Sequence, residues 1–493
     1  MKICWWIYHG RRERGTDSPS LQSDRRWDMK QEQIFSEFFN LCDAVEAILE
    51  REWNSSEEWE KQQRLEREKK AIMGYEEETR FYKHKIENIL SNMHSVENMA
   101  IPPWYTSPSE GIFAELYGMA GLSPWVYDET DEYKNSSSAK LIGERMYCLI
   151  NGRSVLQPQR ISENRRKQLK RAFLLTAPKE RDEKGFHELY LNNGIRITIY
   201  SGDRTKKGQD VMVFRKYVLR ELTFERLAEL GTIPSDSVEL FKVMVRIGFN
   251  VLFSGQVRAG KTAFMQVWQK NEDPSLEGLA ISTDPETPWH IIMPYAPVMQ
   301  ILADGKELEV LYKSLLRGDN DYILLEEMRD AAAFKLAIDI TSIGTSRSKA
   351  TIHSGSPVDI PYKMASAVAS EYGGNIKAMI SQIYRNFHYV FQLYQVPYDR
   401  SIKKLKSISE YRYDESGDIV SVHTVCRYDE KSGKWQWKYD IGEDKREMGK
   451  LQPDEFKRME DMLKLLEKRN PIMENNVIYP RYYVGGGGDE DNR

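Results

Sequence analysis

Apolar and polar positions divide this chain into stretches with different periods. Over residues 30–98, Leu, Ile, Phe and Trp are interspersed among Glu, Lys, Arg and Gln, a pattern that predicts amphipathic helices. Ile101-Pro102-Pro103 ends that pattern, because tandem prolines remove backbone donors, and a domain boundary is expected near 100. From 101 to 222 the chain mixes polar helical stretches with alternating runs: Met146-Tyr147-Cys148-Leu149-Ile150, Ile195-Arg196-Ile197-Thr198-Ile199-Tyr200 and Val211-Met212-Val213-Phe214. This is an α+β pattern with hairpin turns. Thr223 is placed to cap a helix, and Gly231-Thr232-Ile233-Pro234-Ser235 marks a joint, so 223–235 reads as a linker.

Between 236 and 375 the pattern becomes strands alternating with helices. Apolar or β-branched runs at 250–254, 279–283, 322–326 and 349–353 predict a mostly parallel sheet covered by helices. Farther on, Tyr389-Val390-Phe391-Gln392-Leu393-Tyr394, 419–425 and Trp435-Gln436-Trp437 predict antiparallel strands, followed by a charged helix at 453–468; together they suggest a C-terminal subdomain over 376–470. The glycines at 485–488 and the acidic Asp489-Glu490-Asp491 give 471–493 the character of a disordered tail.

Composition narrows the class. A chain of 493 residues is long for one core, so two or three domains are expected. The 40% hydrophobic share, 30% charged share and net charge of -4 argue against a disordered chain and against a broadly basic nucleic-acid binder. Cys4, Cys42, Cys148 and Cys426 show no C-x-x-C spacing, so neither a disulfide framework nor a zinc site is suggested, and a reducing cytosol fits best. No stretch approaches the roughly 20 apolar residues that cross a bilayer. Cys4-Trp5-Trp6-Ile7-Tyr8, followed by Arg11, Arg12 and Arg14, reads as a poorly ordered leader, with Met29 as an alternative start.

The candidate chemistry begins at Gly255-Gln256-Val257-Arg258-Ala259-Gly260-Lys261-Thr262, between the apolar run Asn250-Val251-Leu252-Phe253-Ser254 and a helical segment. A strand, a glycine-framed loop and a helix start let successive backbone N–H groups wrap a polyphosphate at the helix's positive end. Lys261 would reach the β- and γ-phosphates of ATP, and Thr262 would place its hydroxyl on Mg²⁺. Tyr322-Ile323-Leu324-Leu325-Glu326-Glu327 is an apolar strand ending in two carboxylates, which suits a Walker B element or, more blandly, two solvated glutamates. Ala350-Thr351-Ile352-His353-Ser354 ends in a histidine that, taken alone, is more often structural. The basic runs Arg165-Arg166-Lys167 with Lys170-Arg171, and Lys403-Lys404-Lys406, read first as solvated helix faces, and Trp435 with Trp437 as packed core.

In order along the chain, these residues resemble the ATPases of type II and type IV secretion systems, and among them the tight-adherence (Flp) pilus-assembly branch. Asp321-Tyr322-Ile323-Leu324-Leu325-Glu326-Glu327-Met328-Arg329-Asp330 resembles that family's Walker B box. Gly344 with Ala350-Thr351-Ile352-His353-Ser354-Gly355-Ser356-Pro357 is similar to its histidine box, and Ile281-Ser282-Thr283-Asp284-Pro285-Glu286 to its aspartate box. Leu191-Asn192-Asn193-Gly194-Ile195-Arg196 and Val213-Phe214-Arg215-Lys216 resemble its two arginine-bearing strands.

The resemblance implies an α/β fold, with a RecA-like P-loop NTPase motor domain preceded by a smaller α+β domain and an N-terminal helical extension. It implies a homo-hexamer that hydrolyses ATP with Mg²⁺ at the inner face of the cell membrane, acting on a polytopic membrane platform protein. By residue, Glu327 would polarise the attacking water and hold the metal through water, Asp284 would support metal and water, and His353 would sense the γ-phosphate. Arg196 and Arg215 would close onto the phosphates from the N-terminal domain. Two alternatives stand beside this one: a hexameric scaffold that binds nucleotide and hydrolyses it poorly, and a DNA-transfer ATPase. Departures bear on the first, since Val257, Arg258 and Ala259 fill a loop usually richer in Gly and Ser, Thr283 stands where glutamate is usual, and Thr345 replaces a common histidine.

Overall fold

The computed structural model describes residues 35–54, 58–93, 99–175, 185–191, 194–216, 222–283 and 287–484. The leader, Asp284 and the glycine run at 485–488 lie outside the described residues. Contacts divide the chain into two compact units, 1–150 with 154–216 and 217–493 with 151–153.

In the first unit the amphipathic pattern of the N-terminal region forms the helices Ser36–Asn54, Glu58–Ile72 and Glu76–Ser91. Their apolar stripes bury Phe38, Val45, Leu49, Tyr82 and Ile86 against Ile112, Phe113 and Tyr117 of the helix Pro108–Leu116 and its C-cap. Tyr82 and Tyr117 stack with ring centroids 4.0 Å apart. One core therefore runs across the boundary that Pro102 and Pro103 suggested, because the prolines stop a helix without separating what lies on either side.

The same unit holds six strands, β1 (Ser138–Ile142), β2 (Arg145–Ile150), β3 (Arg153–Arg160), β4 (Phe186–Tyr190), β5 (Arg196–Tyr200) and β6 (Val211–Arg215), in the order β3-β2-β1-β6-β5-β4. The helix Glu163–Leu175 carries the first basic run, and here the solvated-face reading needs correction. Arg165 and Arg166 are buried. Arg166 donates to both carboxylate oxygens of Asp210 at 2.9 and 3.0 Å and to the Ile161 carbonyl at 2.7 Å, while Arg165 donates to the Gly118 carbonyl at 2.6 Å. Only Lys167 and Arg171 of that run are exposed.

The second unit is built on one ten-stranded sheet. Its strands are β7 (Val251–Gly255), β8 (Gly278–Ser282), β9 (Val298–Leu302), β10 (Tyr322–Met328), β11 (Lys349–Ile352), β12 (Tyr389–Gln395), β13 (Lys403–Asp414), β14 (Ile419–Asp429), β15 (Lys434–Trp437) and β16 (Val477–Ile478). The order is β15-β14-β13-β12-β7-β11-β10-β8-β9, with β16 on β14. From β12 to β9 neighbours are parallel, and from β12 to β15 they are antiparallel. Helices cover both faces of the parallel half, which is why β7 is buried throughout: Val251 and Phe253 enter one core, and Leu252 enters the other.

Four expectations change here. The antiparallel strands of 376–470 form no sheet of their own, since β12 pairs directly with the loop-bearing strand β7. The stretch 223–235 is packed: Phe224 lies edge-on to Phe241, Phe264 and Trp268, and Leu227 and Ile233 are buried beside it, so flexing there would have to break this cluster. Lys403, Lys404 and Lys406 lie on strand β13 rather than on a helix, with Lys404 over the Trp435 ring and bonded to the Gly231 carbonyl. Trp437 is buried in the core and Trp435 is half-buried. Part of the segment read as a tail is structured, with β16 and the short helix Arg481–Val484.

Candidate functional site

The site forms where parallel strands end. Strand β7 delivers Gly255, the loop residues 256–260 turn, and the helix Lys261–Lys270 begins at once. The turn depends on backbone geometry open to glycine. Gly255 has φ 146°, and a Cβ there would meet the Leu393 carbonyl oxygen of β12 at 2.1 Å. Gly260 caps the helix with φ 91°. Ala259 is buried under the loop, whereas Val257 and Arg258 face outward, Arg258 with φ 64°. The first N–H groups of the helix point towards the loop, leaving a positive end for an anion.

Three side chains that are far apart in sequence meet beside this loop. Lys261 Nζ donates to the Gln256 carbonyl at 3.1 Å and lies 3.2 Å from His353 Nδ1. His353 Nε2 lies 2.8 Å from Glu327 Oε1, and Arg329 holds the other oxygen of Glu327. An ammonium only donates, so Nδ1 accepts and Nε2 carries the proton that it gives to Glu327. Lysine, histidine and carboxylate thus form one directed chain.

Strand geometry explains the meeting. β10 and β11 are parallel neighbours, and their register shifts between Leu325 and Met328, a bulge that re-aims Glu327. Glu326 goes elsewhere: it is buried and accepts from the Trp289 indole N–H. The two carboxylates that looked equivalent in sequence therefore have separate surroundings.

Charge follows the geometry. Burial lowers the Lys261 ammonium to a pKa of about 8, with Arg329 and Lys363 pushing the same way and Glu327 opposing. Burial would raise the Glu327 carboxyl, but the bond and charge of Arg329, with the contact from His353, outweigh it and hold Glu327 below the usual range. The carboxylate is therefore ionised at neutral pH. Thr262, half-buried in the first turn of the helix, completes the side chains around the loop.

The remaining expected residues are placed differently. Arg196 and Arg215 belong to the first unit, where they are direct cross-strand partners on β5 and β6. Arg196 Nε lies 3.5 Å from Glu188, and Arg215 is exposed. Several contributors were not assigned from sequence. Arg329 had a signal, since it follows Glu327 by only two residues, just past the end of β10. Lys363, which donates to the His353 carbonyl, and Trp289 had none, because each arrives from a separate element.

Among the described residues no group of three or more His, Cys, Asp or Glu could hold a metal ion. One hydroxyl and one ionised carboxylate fit Mg²⁺, which keeps waters and takes substrate phosphate oxygens instead of an all-protein cage.

A strand, a glycine-framed loop, a helix start and an adjoining lysine, histidine and ionised glutamate have the arrangement of a phosphate-binding loop. Residues 205–388 match the family described as Type II/IV secretion system protein. The match spans less than half of the chain and contains the loop, Glu327 and His353. An uncharacterized protein of Methanocaldococcus jannaschii is 24% identical over 216 residues, 43% of this chain and 77% of its own length.

Among solved structures, the pilus retraction motor PilT with bound ADP is similar at 14% identity and a TM-score of 0.43, covering 71% of this chain and 93% of that one. The VirB11 ATPase of the Brucella suis type IV secretion system is similar at 17% identity and a TM-score of 0.31, covering 59% and 95%. Scores this low decide nothing further. Among the described residues no helix is long and apolar enough to cross a membrane.

Proposed function

We propose that this protein is an ATPase that couples hydrolysis to pilus assembly or protein secretion through a membrane-embedded machine, with the tight-adherence branch as its place in the superfamily. The observation that carries the proposal is the chain Lys261–His353–Glu327 beside a glycine-framed loop. In this reading the loop and helix N-terminus hold the phosphates, Lys261 neutralises their charge, and Glu327 orients the attacking water. Thr262, and Glu327 through water, would hold Mg²⁺, which would supply positive charge against the charge developing on the phosphates.

His353 links lysine to glutamate and so reports a γ-phosphate to the water-orienting group. Asp284 supports metal and water. Arg196 and Arg215 supply further positive charge. The assembly is a homo-hexamer on the inner face of the membrane, working on a polytopic platform protein.

The test is steady-state phosphate release by the full chain with Mg-ATP. Glu327→Gln should lower turnover by at least about 100-fold while leaving nucleotide binding within a few-fold. Wild-type protein with no turnover that Glu327→Gln removes would defeat the motor reading. The scaffold alternative then stands, and one observation favours it: Arg329 keeps Glu327 a weak base.

A further inference from the structure

The loop that carries His353 is held from outside by side-chain donors arriving from four elements. Lys363, on the following helix Ile360–Tyr372, donates to the His353 carbonyl at 2.6 Å. Gln392 of β12 donates to the Gly355 carbonyl at 2.6 Å. Tyr411 of β13 donates to the Pro357 carbonyl, and Tyr482, in the C-terminal helix Arg481–Val484, donates to the Val358 carbonyl at 2.6 Å. Within the loop, Ser354 and Ser356 make only local turn bonds. The backbone between β11 and the helix Ile360–Tyr372 is therefore fixed by distant donors.

We infer that Tyr482 is a positioning residue for His353, so that the C-terminal segment is part of the support of the nucleotide site. This inference rests on the ATPase reading only for its effect on turnover. Tyr482 is well placed for the task. Its ring lies 5.2 Å from that of Tyr362 on the helix Ile360–Tyr372, and its hydroxyl lies 3.2 Å from the Tyr384 hydroxyl. Its neighbour Tyr483 is buried and bonds Asp418 and Ser381 at 2.6 Å each, which anchors the segment without touching the loop. The two tyrosines have separate tasks: Tyr483 docks the segment, and Tyr482 reaches the loop.

A misplacement of a catalytic group by a fraction of an ångström lowers turnover more than it lowers ground-state binding. Tyr482→Phe keeps the ring against Tyr362 and removes the hydroxyl's bonds to the Val358 carbonyl and to the Tyr384 hydroxyl. It should lower kcat for ATP about 3- to 10-fold with KM changed less than about 2-fold, and leave the thermal midpoint within a few degrees. Tyr483→Phe serves as the comparison and should shift the midpoint more than kcat.

The second readout is independent of turnover. In nitrogen-15 histidine spectra of the nucleotide-free protein, Tyr482→Phe should displace the His353 ring resonances, and Tyr483→Phe should not. His353 resonances unchanged in Tyr482→Phe would overturn the inference, whatever kcat does. Should the wild-type protein prove inactive, the ATPase reading fails and the histidine spectrum still decides the positioning role.

Discussion

Lys261 shows how a single side chain can be arranged for a ligand at the expense of the fold. Its ammonium is buried, and burial lowers its pKa from the ordinary 10.5 to about 8. The folded chain therefore holds this proton less tightly than the unfolded chain does. The charging penalty is fully present below about pH 8, and stability from this group rises as pH increases from about 8 to 10.5. Lys261→Met keeps the length and removes the charge. It should raise folding stability at pH 7 by about 1–3 kcal/mol and flatten the pH dependence in that window, measured by urea unfolding at several pH values. Phosphates beside the ammonium favour its charged form, so ATP binding at pH 8.5 should take up protons, seen in calorimetry as a dependence on buffer ionisation enthalpy. Stability and ligand binding thus make opposite demands on one residue.

The residue types of this site were legible in the chain: glycines framing the loop, Lys261 before Thr262, and Glu327 at the end of an apolar run. What was not legible is direction. Glu326 and Glu327 are adjacent carboxylates that diverge on β10, and nothing in the chain says which of them meets the Trp289 indole and which meets His353.

At the level of elements, the helix Glu163–Leu175 carries the clearest lesson. Its run of cations matches a solvated face, yet Arg165 and Arg166 are among its buried positions. Periodicity records which positions are polar, and it does not record that Asp210, more than forty residues on, supplies a partner for a buried guanidinium. The two partners of that pair are not equivalent. Arg166 is 2% exposed in its side chain and Asp210 is 25% exposed, so removing the acid strands a buried charge, whereas removing the base leaves an acid still reached by water. Asp210→Ala should cost about 3–4 kcal/mol and Arg166→Met about 1–2 kcal/mol, compared by urea midpoints.

Strand β13 was missed for a related reason. Lys403, Lys404 and Lys406 interrupt its apolar alternation at the start, where the strand is only half-buried. Strand β9 was missed because it is the edge of the sheet and exposes Met299 and Leu302, so its pattern lacks the buried alternation of the inner strands.

At the scale of the molecule, the second unit has no seam between its loop-bearing part and its C-terminal part. The loop-bearing strand β7 lies between β11 and β12, and β12 starts one residue beyond the segment matched by the secretion family. The Leu393 carbonyl of β12 is also what a side chain at position 255 would strike. A fragment covering 222–375 lacks one neighbour of its central strand and much of one core. It should show no cooperative unfolding transition by circular dichroism, whereas 222–493 should unfold as one unit; a cooperative transition in the shorter fragment would contradict this. Alternation of strands and helices gave β7, β8, β10 and β11 of this sheet from the chain alone, but not β9 at the edge or the parallel pairing of β12 with β7. Its continuation into antiparallel strands was hidden, since nothing local distinguishes a strand that starts a new sheet from one that extends an old one.

The bond between Tyr482 and the Val358 carbonyl has a thermodynamic counterpart. Coupling between two sites is reciprocal: whatever free energy the C-terminal segment contributes to ordering the His353 loop, a ligand that orders the loop must return to the segment. Occupancy of the phosphate loop would then be readable at the far end of the chain, as slower amide exchange or slower cleavage around residues 479–484. A partner that captures that end would, by the same linkage, change how tightly nucleotide is held.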